Sequence, residues 1–193
     1  MSTNLTNRQK EIINASLELI AESGIQSLTI KNLSKKIGLV ESAIYRHYES
    51  KTQILIALLD VIGEQTECFR ETEVASVLEF IEKKLENHFQ AFQENPALVS
   101  VVFAEDLFQN EPQLVEKNRL KVEKSLSALS DLIQKGQQRG EIRPDIEAGV
   151  ISILINGSLR MLTKQWKMSG YSFDLVSRGK KLNESYKLML KTH

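Results

Sequence analysis

The chain is short of nearly everything that marks a secreted, metal-stapled or membrane-embedded protein. Among 193 residues there are one cysteine, three prolines and nine glycines, and 25 Lys and Arg stand against 25 Asp and Glu. A single thiol excludes an internal disulfide framework and any Cys-rich zinc set. Its three histidines, His47, His88 and His193, are scattered without metal-ligand spacing, so no metal is expected. Apolar runs are short and broken by charge, which leaves no membrane span to expect. Met1 to Gln9 lack an apolar signal core, so the expected location is the cytoplasm. No Gly-rich phosphate loop, serine elbow or Cys/His pair is present, so neither an enzyme nor a bound cofactor is expected.

The absence of net charge argues at first against a nucleic-acid partner. Divided along the chain, however, the balance is uneven: residues 1–51 carry seven basic side chains against five acidic, and the remainder is slightly acidic. The asymmetry is mild and decides nothing alone.

What the chain does have is helical period almost throughout. Residues 8–22 place Ile12, Ile13, Ser16, Leu17, Leu19 and Ile20 on one face, with Gly24 as a stop. Thr29 is a cap for a short helix with Ile30, Leu33 and Ile37 inward, ended by Gly38. A second short helix is expected over 41–48, and Ser50 caps a longer one carrying Ile54, Leu55, Leu58, Val61 and Ile62. Val74, Val77, Leu78, Ile81, Leu85, Phe89 and Phe92 form the next stripe. Pro96 and Pro112 open two further helices, the second with Val122, Leu126, Leu129 and Ile133 inward. Asp145 is the expected cap of a helix with Val150, Ile153, Leu154, Gly157, Met161 and Leu162. Gly170 separates it from a last helix with Leu175, Val176, Leu182, Tyr186 and Met189. With no strand alternation, the class is all-α, with about nine helices.

The chemistry concentrates between Ile30 and Tyr48. Two short helices joined at Gly38-Leu39-Val40 make a helix-turn-helix pattern, in which the second helix is presented to a DNA groove. Leu33, Ile37, Leu39 and Ile44 hold the pair together, leaving Glu41, Ser42, Ala43, Tyr45, Arg46 and His47 on or near the exposed side. Small residues at 42 and 43 permit close approach to a groove floor. Tyr45 and His47 offer hydrogen bonds to phosphates, and Arg46 can reach a base edge or a phosphate. Lys51 adds a cation at the start of the following helix. A generic Gly-centred helix pair reads equally well as a solvated hairpin; the run Tyr45-Arg46-His47-Tyr48 tips the balance toward DNA.

Leu28-Thr29-Ile30, Ile37-Gly38-Leu39, Ala43-Ile44-Tyr45-Arg46-His47-Tyr48 and Ser50-Lys51 resemble the N-terminal module of the tetracycline-repressor (TetR) family over about residues 8–62. The rest of the chain resembles that family in helix count, length and order. The resemblance implies a homodimeric repressor released from DNA by a small molecule. It places Tyr45, His47 and Lys51 on phosphate-contacting positions, Thr29 on a backbone contact, and residues 41–43 and 46 toward the major groove. The chain departs from the family where Ser34 replaces a usual alanine, Tyr48 a usual phenylalanine, and Val40 the usual Ser or Thr cap. Loss of that cap costs about 1 kcal/mol of local helix stability. Glu41 suits the positive helix N-terminus but repels nearby phosphates; its carboxylate can accept a hydrogen bond from cytosine N4, and the other reading is a helix-start charge with no base contact.

The expected division of labour is residues 1–50 for DNA and 51–193 for dimerisation and effector sensing. Phe89, Phe92, Phe103 and Phe108 are candidate pocket residues, although plain core packing explains each as well. Asn156 and Arg160 share a helix face and suit an effector or, preferably, a subunit interface. Helices over about 145–168 and 172–191 offer apolar faces with Gly149, Gly157 and Gly179 for close approach to a second subunit. The expected partners are therefore a palindromic operator duplex, a second copy of the chain and an unidentified small molecule. Two other readings stay open: the same fold controlled by a protein partner or by nothing, and a helical ligand carrier with a vestigial head. His88, Cys68 and the pair Glu105-Asp106 read as boundary, inert and solvated residues.

Overall fold

A computed structural model describes residues 5–66, 75–104 and 111–191. Cys68, Val74, Glu105, Asp106, Phe108 and His193 therefore lie outside the described residues. Within them the chain forms nine α-helices: α1 (Asn7–Ser23), α2 (Ile30–Lys36), α3 (Glu41–Tyr45), α4 (Lys51–Thr66), α5 (Val77–Glu94), α6 (Pro96–Val102), α7 (Pro112–Gln138), α8 (Ala148–Met168) and α9 (Leu175–Leu190). A single 3₁₀ turn, Ile25–Ser27, follows α1. The class is all-α; the extended contact present among these residues is one isolated bridge between Ile142 and Lys191.

The described residues divide into two compact units. One is drawn from Met1–Gln65 and Asn95–Lys117, the other from Thr66–Glu94 and Asn118–His193. In the first, α1 begins with a reciprocal cap: the Thr6 hydroxyl accepts from the Gln9 N–H and the Gln9 side chain accepts from the Thr6 N–H. That Thr-x-x-Gln signal is present in the sequence, but the helix-face reading begins after it. Ile12, Ile13, Leu17 and Ile20 of α1 are buried, together with Leu28, Leu33 and Ile44. Ala97, Leu98, Val99 and Val101 of α6 are buried in the same unit, where α6 packs against α1. Two polar links fasten α4 to the start of α7. The Thr52 hydroxyl donates to Glu111 at 3.0 Å and the Lys117 ammonium pairs with Asp60 at 2.8 Å.

In the second unit α5 lies along α9. Gly179 is what allows it: a Cβ added there would fall 2.6 Å from Phe89 Cε2 and 3.0 Å from its Cγ. Glycine at 179 thus serves close approach within the chain, not to a second subunit as its spacing suggests. Asn183 donates to the Glu82 carbonyl (3.2 Å) and Lys187 pairs with the Glu82 carboxylate (2.6 Å). Between α8 and α9, the Tyr186 hydroxyl donates to the Leu154 carbonyl at 2.9 Å and meets Ser158 at 2.6 Å. Trp166 is held by its indole N–H on the Phe173 carbonyl (2.7 Å) and by an edge-on contact with Tyr171.

Two local expectations are corrected. Asp145 does not cap α8: its carboxylate is taken by Arg143 at 2.6 Å, and the cap position is Glu147, without a side-chain bond. Val122 points outward, 40% exposed, and the buried large side chains of α7 are Leu114, Leu129, Leu132 and Ile133. Among the described residues no helix is long and apolar enough to cross a membrane, and no group of three or more His, Cys, Asp or Glu is placed to hold a metal.

Candidate nucleic-acid interface

The turn between α2 and α3 is set by local chemistry. Thr29 has extended backbone and its hydroxyl oxygen accepts the Asn32 N–H at 3.1 Å, which starts α2. Asn32 in turn donates to the Ser27 carbonyl at 2.8 Å, tying α2 to the preceding turn. Gly38 adopts φ 67°, a left-handed conformation that favours glycine, and Leu39 N–H closes on the Ser34 carbonyl at 2.9 Å. Lys36, at the end of α2, bridges Glu18 (3.1 Å) and Glu22 (2.8 Å) of α1, and these carboxylates hold its ammonium above the usual lysine range.

α3 is shorter than expected. It runs only from Glu41 to Tyr45, and the chain then turns so that the N–H groups of His47 and Tyr48 both point at the Ile44 carbonyl. Val40 stands at the cap position with no side-chain bond, as its chemistry dictates, and its side chain is 68% exposed. The stub is held by what it buries: Ile44 is 0% and Tyr48 5% exposed. The Tyr48 hydroxyl meets no hydrogen-bond partner among the described residues, and burial pushes its pKa upward.

With Ile44 and Tyr48 turned inward, the outer side presents Glu41, Ser42, Tyr45 and Arg46, all exposed, flanked by half-buried Ala43 and His47. Thr29 is exposed at the start of α2, and its hydroxyl hydrogen remains available as a donor. Lys51 is half-buried at the first residue of α4, where Ser50 supplies the cap by accepting the Gln53 N–H at 3.2 Å. The structure therefore brings Glu41, Ser42, Tyr45 and Arg46 together on one outward side of the α3 stub, whose inner side is buried at Ile44. Lys31 and Lys35 are further exposed cations, at the start and end of α2, that the motif reading passes over.

The candidate pocket residues are not gathered in the same way. Phe89 and Phe92 are buried in the second unit, Phe89 against Gly179 and Phe92 edge-on to His88 with ring centres 6.2 Å apart. Phe103 belongs to the first unit and is half-buried. Asn156 donates to the Ser152 carbonyl (3.0 Å) and lies 3.5 Å from the Ser125 hydroxyl; Arg160, a turn later, is also half-buried. An open concavity of about 570 Å³ lies instead in the first unit, against α1 and the end of α2, among Lys10, Glu11, Asn14 and Lys36. His88, beside Phe92 on α5, is a further titratable group of the second unit. Its Nδ1–H donates to the Lys84 carbonyl at 2.8 Å, and burial with the nearby charges of Lys84 and Lys121 lowers its pKa to about 4.

A capped helix, a left-handed glycine turn and an exposed stub of polar, basic and aromatic side chains have the form of a helix-turn-helix, the motif of DNA-binding regulators. Similarity to known proteins makes the class specific. Residues 12–58 match the bacterial regulatory proteins of the tetR family, and residues 55–192 match the YsiA-like protein C-terminal region. The chain belongs to the tetR family of transcriptional regulators and is not an enzyme. It is 27% identical over 172 residues to the fatty acid metabolism regulator protein of Bacillus subtilis, covering 86% of this chain and 87% of that protein. The fatty acid degradation regulator FadR of Bacillus halodurans superposes with a TM-score of 0.83 at 21% identity, over 96% and 97% of the two chains. Bacillus subtilis FadR in complex with stearoyl-CoA gives 0.79 at 25% identity, over 91% and 95%.

Proposed function

We propose that residues 1–50 bind an approximately palindromic operator and that residues 51–193 dimerise and sense an effector, so that the protein is a cytoplasmic repressor released by a small molecule. The observation that carries the DNA half is the outward set Glu41, Ser42, Tyr45 and Arg46 on a stub fixed by buried Ile44 and Tyr48. In this reading Tyr45, His47, Lys51 and Thr29 hold the phosphate backbone, while Ser42, Ala43 and Arg46 enter the major groove.

A stub this short reads few base pairs, so doubling it is the economical route to specificity. Exposed apolar side chains support that doubling: Val150, Ile153, Leu154 and Met161 of α8 are 43–60% exposed, and Leu188 and Met189 of α9 are 81% and 51% exposed. Large apolar side chains in rows of this kind are characteristic of subunit contacts. Gly157 adds room, since a Cβ there would meet nothing within 4 Å.

For the effector we propose a fatty-acyl thioester of coenzyme A, the chemical class of the stearoyl-CoA held by Bacillus subtilis FadR. The positive charges of Lys84 and Lys121 around His88 suit its anionic part, and Phe92, Asn156 and Arg160 are the side chains of the same unit that we assign to ligand binding. Phe89 is committed to Gly179, and Phe103 is the candidate of the first unit. Release then follows from a population shift: tenfold weaker operator binding needs about 1.4 kcal/mol of effector preference for the non-binding arrangement. The test is fluorescence anisotropy of operator-bound protein titrated with stearoyl-CoA, stearate and coenzyme A. Release by the thioester alone supports the assignment; indifference to all three favours control by a protein partner or none.

A further inference from the structure

We propose that Glu41 is a specificity residue that reads one cytosine in each operator half-site, its carboxylate accepting a hydrogen bond from the N4 amino group. This rests on the reading of α3 as the groove-entering element. Glu41 is exposed and sits on the outward side with Ser42, Tyr45 and Arg46. Its carboxylate makes no hydrogen bond or ion pair among the described residues, whereas Glu18, Glu22 and Glu49 of the same unit are engaged by Lys36 or Gln53. The acid is therefore not spent on holding the motif together.

An unpaired carboxylate carried toward DNA is repelled by phosphates and loses its hydration on entering a groove, so it is tolerated only where a donor replaces the lost water. Guanine and thymine present acceptors alone on their major-groove edges, N7 and O6 or O4, and would leave it unpaired. Adenine presents its N6 donor beside the N7 acceptor, so the second carboxylate oxygen would face a lone pair. Cytosine presents the N4 donor between its own C–H and the O6 acceptor of the paired guanine, whereas adenine N6 lies between two acceptors, its own N7 and O4 of the paired thymine. Of the four edges, cytosine offers a carboxylate its donor with the fewest repulsive neighbours. Glutamine, which donates and accepts, instead matches the adenine N6 and N7 pair.

The experiment uses the full chain. Random-sequence duplexes are selected by the wild type, Glu41→Ala and Glu41→Gln, and each protein is then titrated on the selected operator and on the same operator with the assigned C·G pair changed to T·A. We expect the wild type to select a two-fold-symmetric site with a cytosine column in each half. It should lose about tenfold or more in affinity on the T·A operator. Glu41→Ala should keep the other columns, lose that one, and bind both operators alike; Glu41→Gln should move the column toward adenine. If Glu41→Ala retains every column and the full C·G preference, Glu41 reads no base and the proposal is overturned while the DNA reading stands. If the wild type selects no sequence at all, the reading of α3 fails and takes the proposal with it.

Discussion

Replacing Tyr48 by phenylalanine should stabilise the protein. Tyr48 is 5% exposed beneath the recognition stub, and its hydroxyl has no partner among the described residues. Burying a hydroxyl without a hydrogen bond costs about 1–3 kcal/mol, and the substitution removes that atom while keeping the ring in the core. Part of the gain is offset by the small void left behind, so the net expectation is about 1 kcal/mol. In urea this moves the midpoint up by about 0.5 M with an unchanged slope, and in a thermal scan it raises Tm by about 2–4 °C for a chain of this length. pH supplies an independent arm. Burial raises the Tyr48 pKa above its value in the unfolded chain, so the folded state holds the proton more tightly. Its contribution is fully present below about pH 10 and is lost as pH rises further, and Tyr48→Phe should remove that alkaline loss. Operator affinity should not change, because the ring and not the hydroxyl supports Ile44 and the stub. A variant destabilised by 1 kcal/mol or more would refute the reasoning, since it would mean that the hydroxyl is bonded in the folded protein.

Other perturbations address the remaining parts. Gly179→Ala should lower stability by about 1–3 kcal/mol despite its better helix propensity, because the new methyl overlaps Phe89, and Phe89→Leu should recover part of the loss in urea denaturation. His88, with its pKa lowered to about 4, stays neutral while the unfolded chain takes up a proton, so stability falls as pH drops from about 6.5 to 4, by at most about 1.4 kcal/mol per pH unit. His88→Gln should flatten that slope. Ile153→Glu places a charge on an exposed apolar face of α8 and should halve the mass measured by light scattering while leaving helix content unchanged. Tyr45→Phe and Lys51→Ala should each weaken binding similarly on specific and nonspecific duplexes, and Lys51→Ala should reduce the salt slope by about 1.

Helix order and the position of the reading head were legible because their signals are local. Thr29 and Ser50 accept the N–H groups their positions call for, and Gly38 takes the left-handed turn. Competition among partners was not legible. Asp145 has the chemistry of a cap, but a guanidinium two residues earlier takes both its oxygens, and the helix starts later without a side-chain cap. Gly179 announces close approach without naming the neighbour, and the neighbour is Phe89 of the same chain. Val122 fits the spacing of the α7 stripe yet is exposed, since spacing fixes a face and not what covers each turn of it. For the reading head, sequence supplied the outward residues nearly complete. It missed that α3 ends at Tyr45, because the turn at Arg46 and His47 follows from burial of Tyr48 and not from a breaker residue. The effector side chains were least legible, since buried phenylalanines serve packing and binding with the same pattern.

With no net charge, the chain depends for DNA binding on a few placed residues on each subunit. Equilibrium titration of a selected operator across a salt series tests it most directly. With about six phosphate contacts per complex, affinity should fall by about 10³-fold between roughly 50 and 200 mM salt. An affinity that stays flat across that range would mean that these residues do not hold the phosphate backbone.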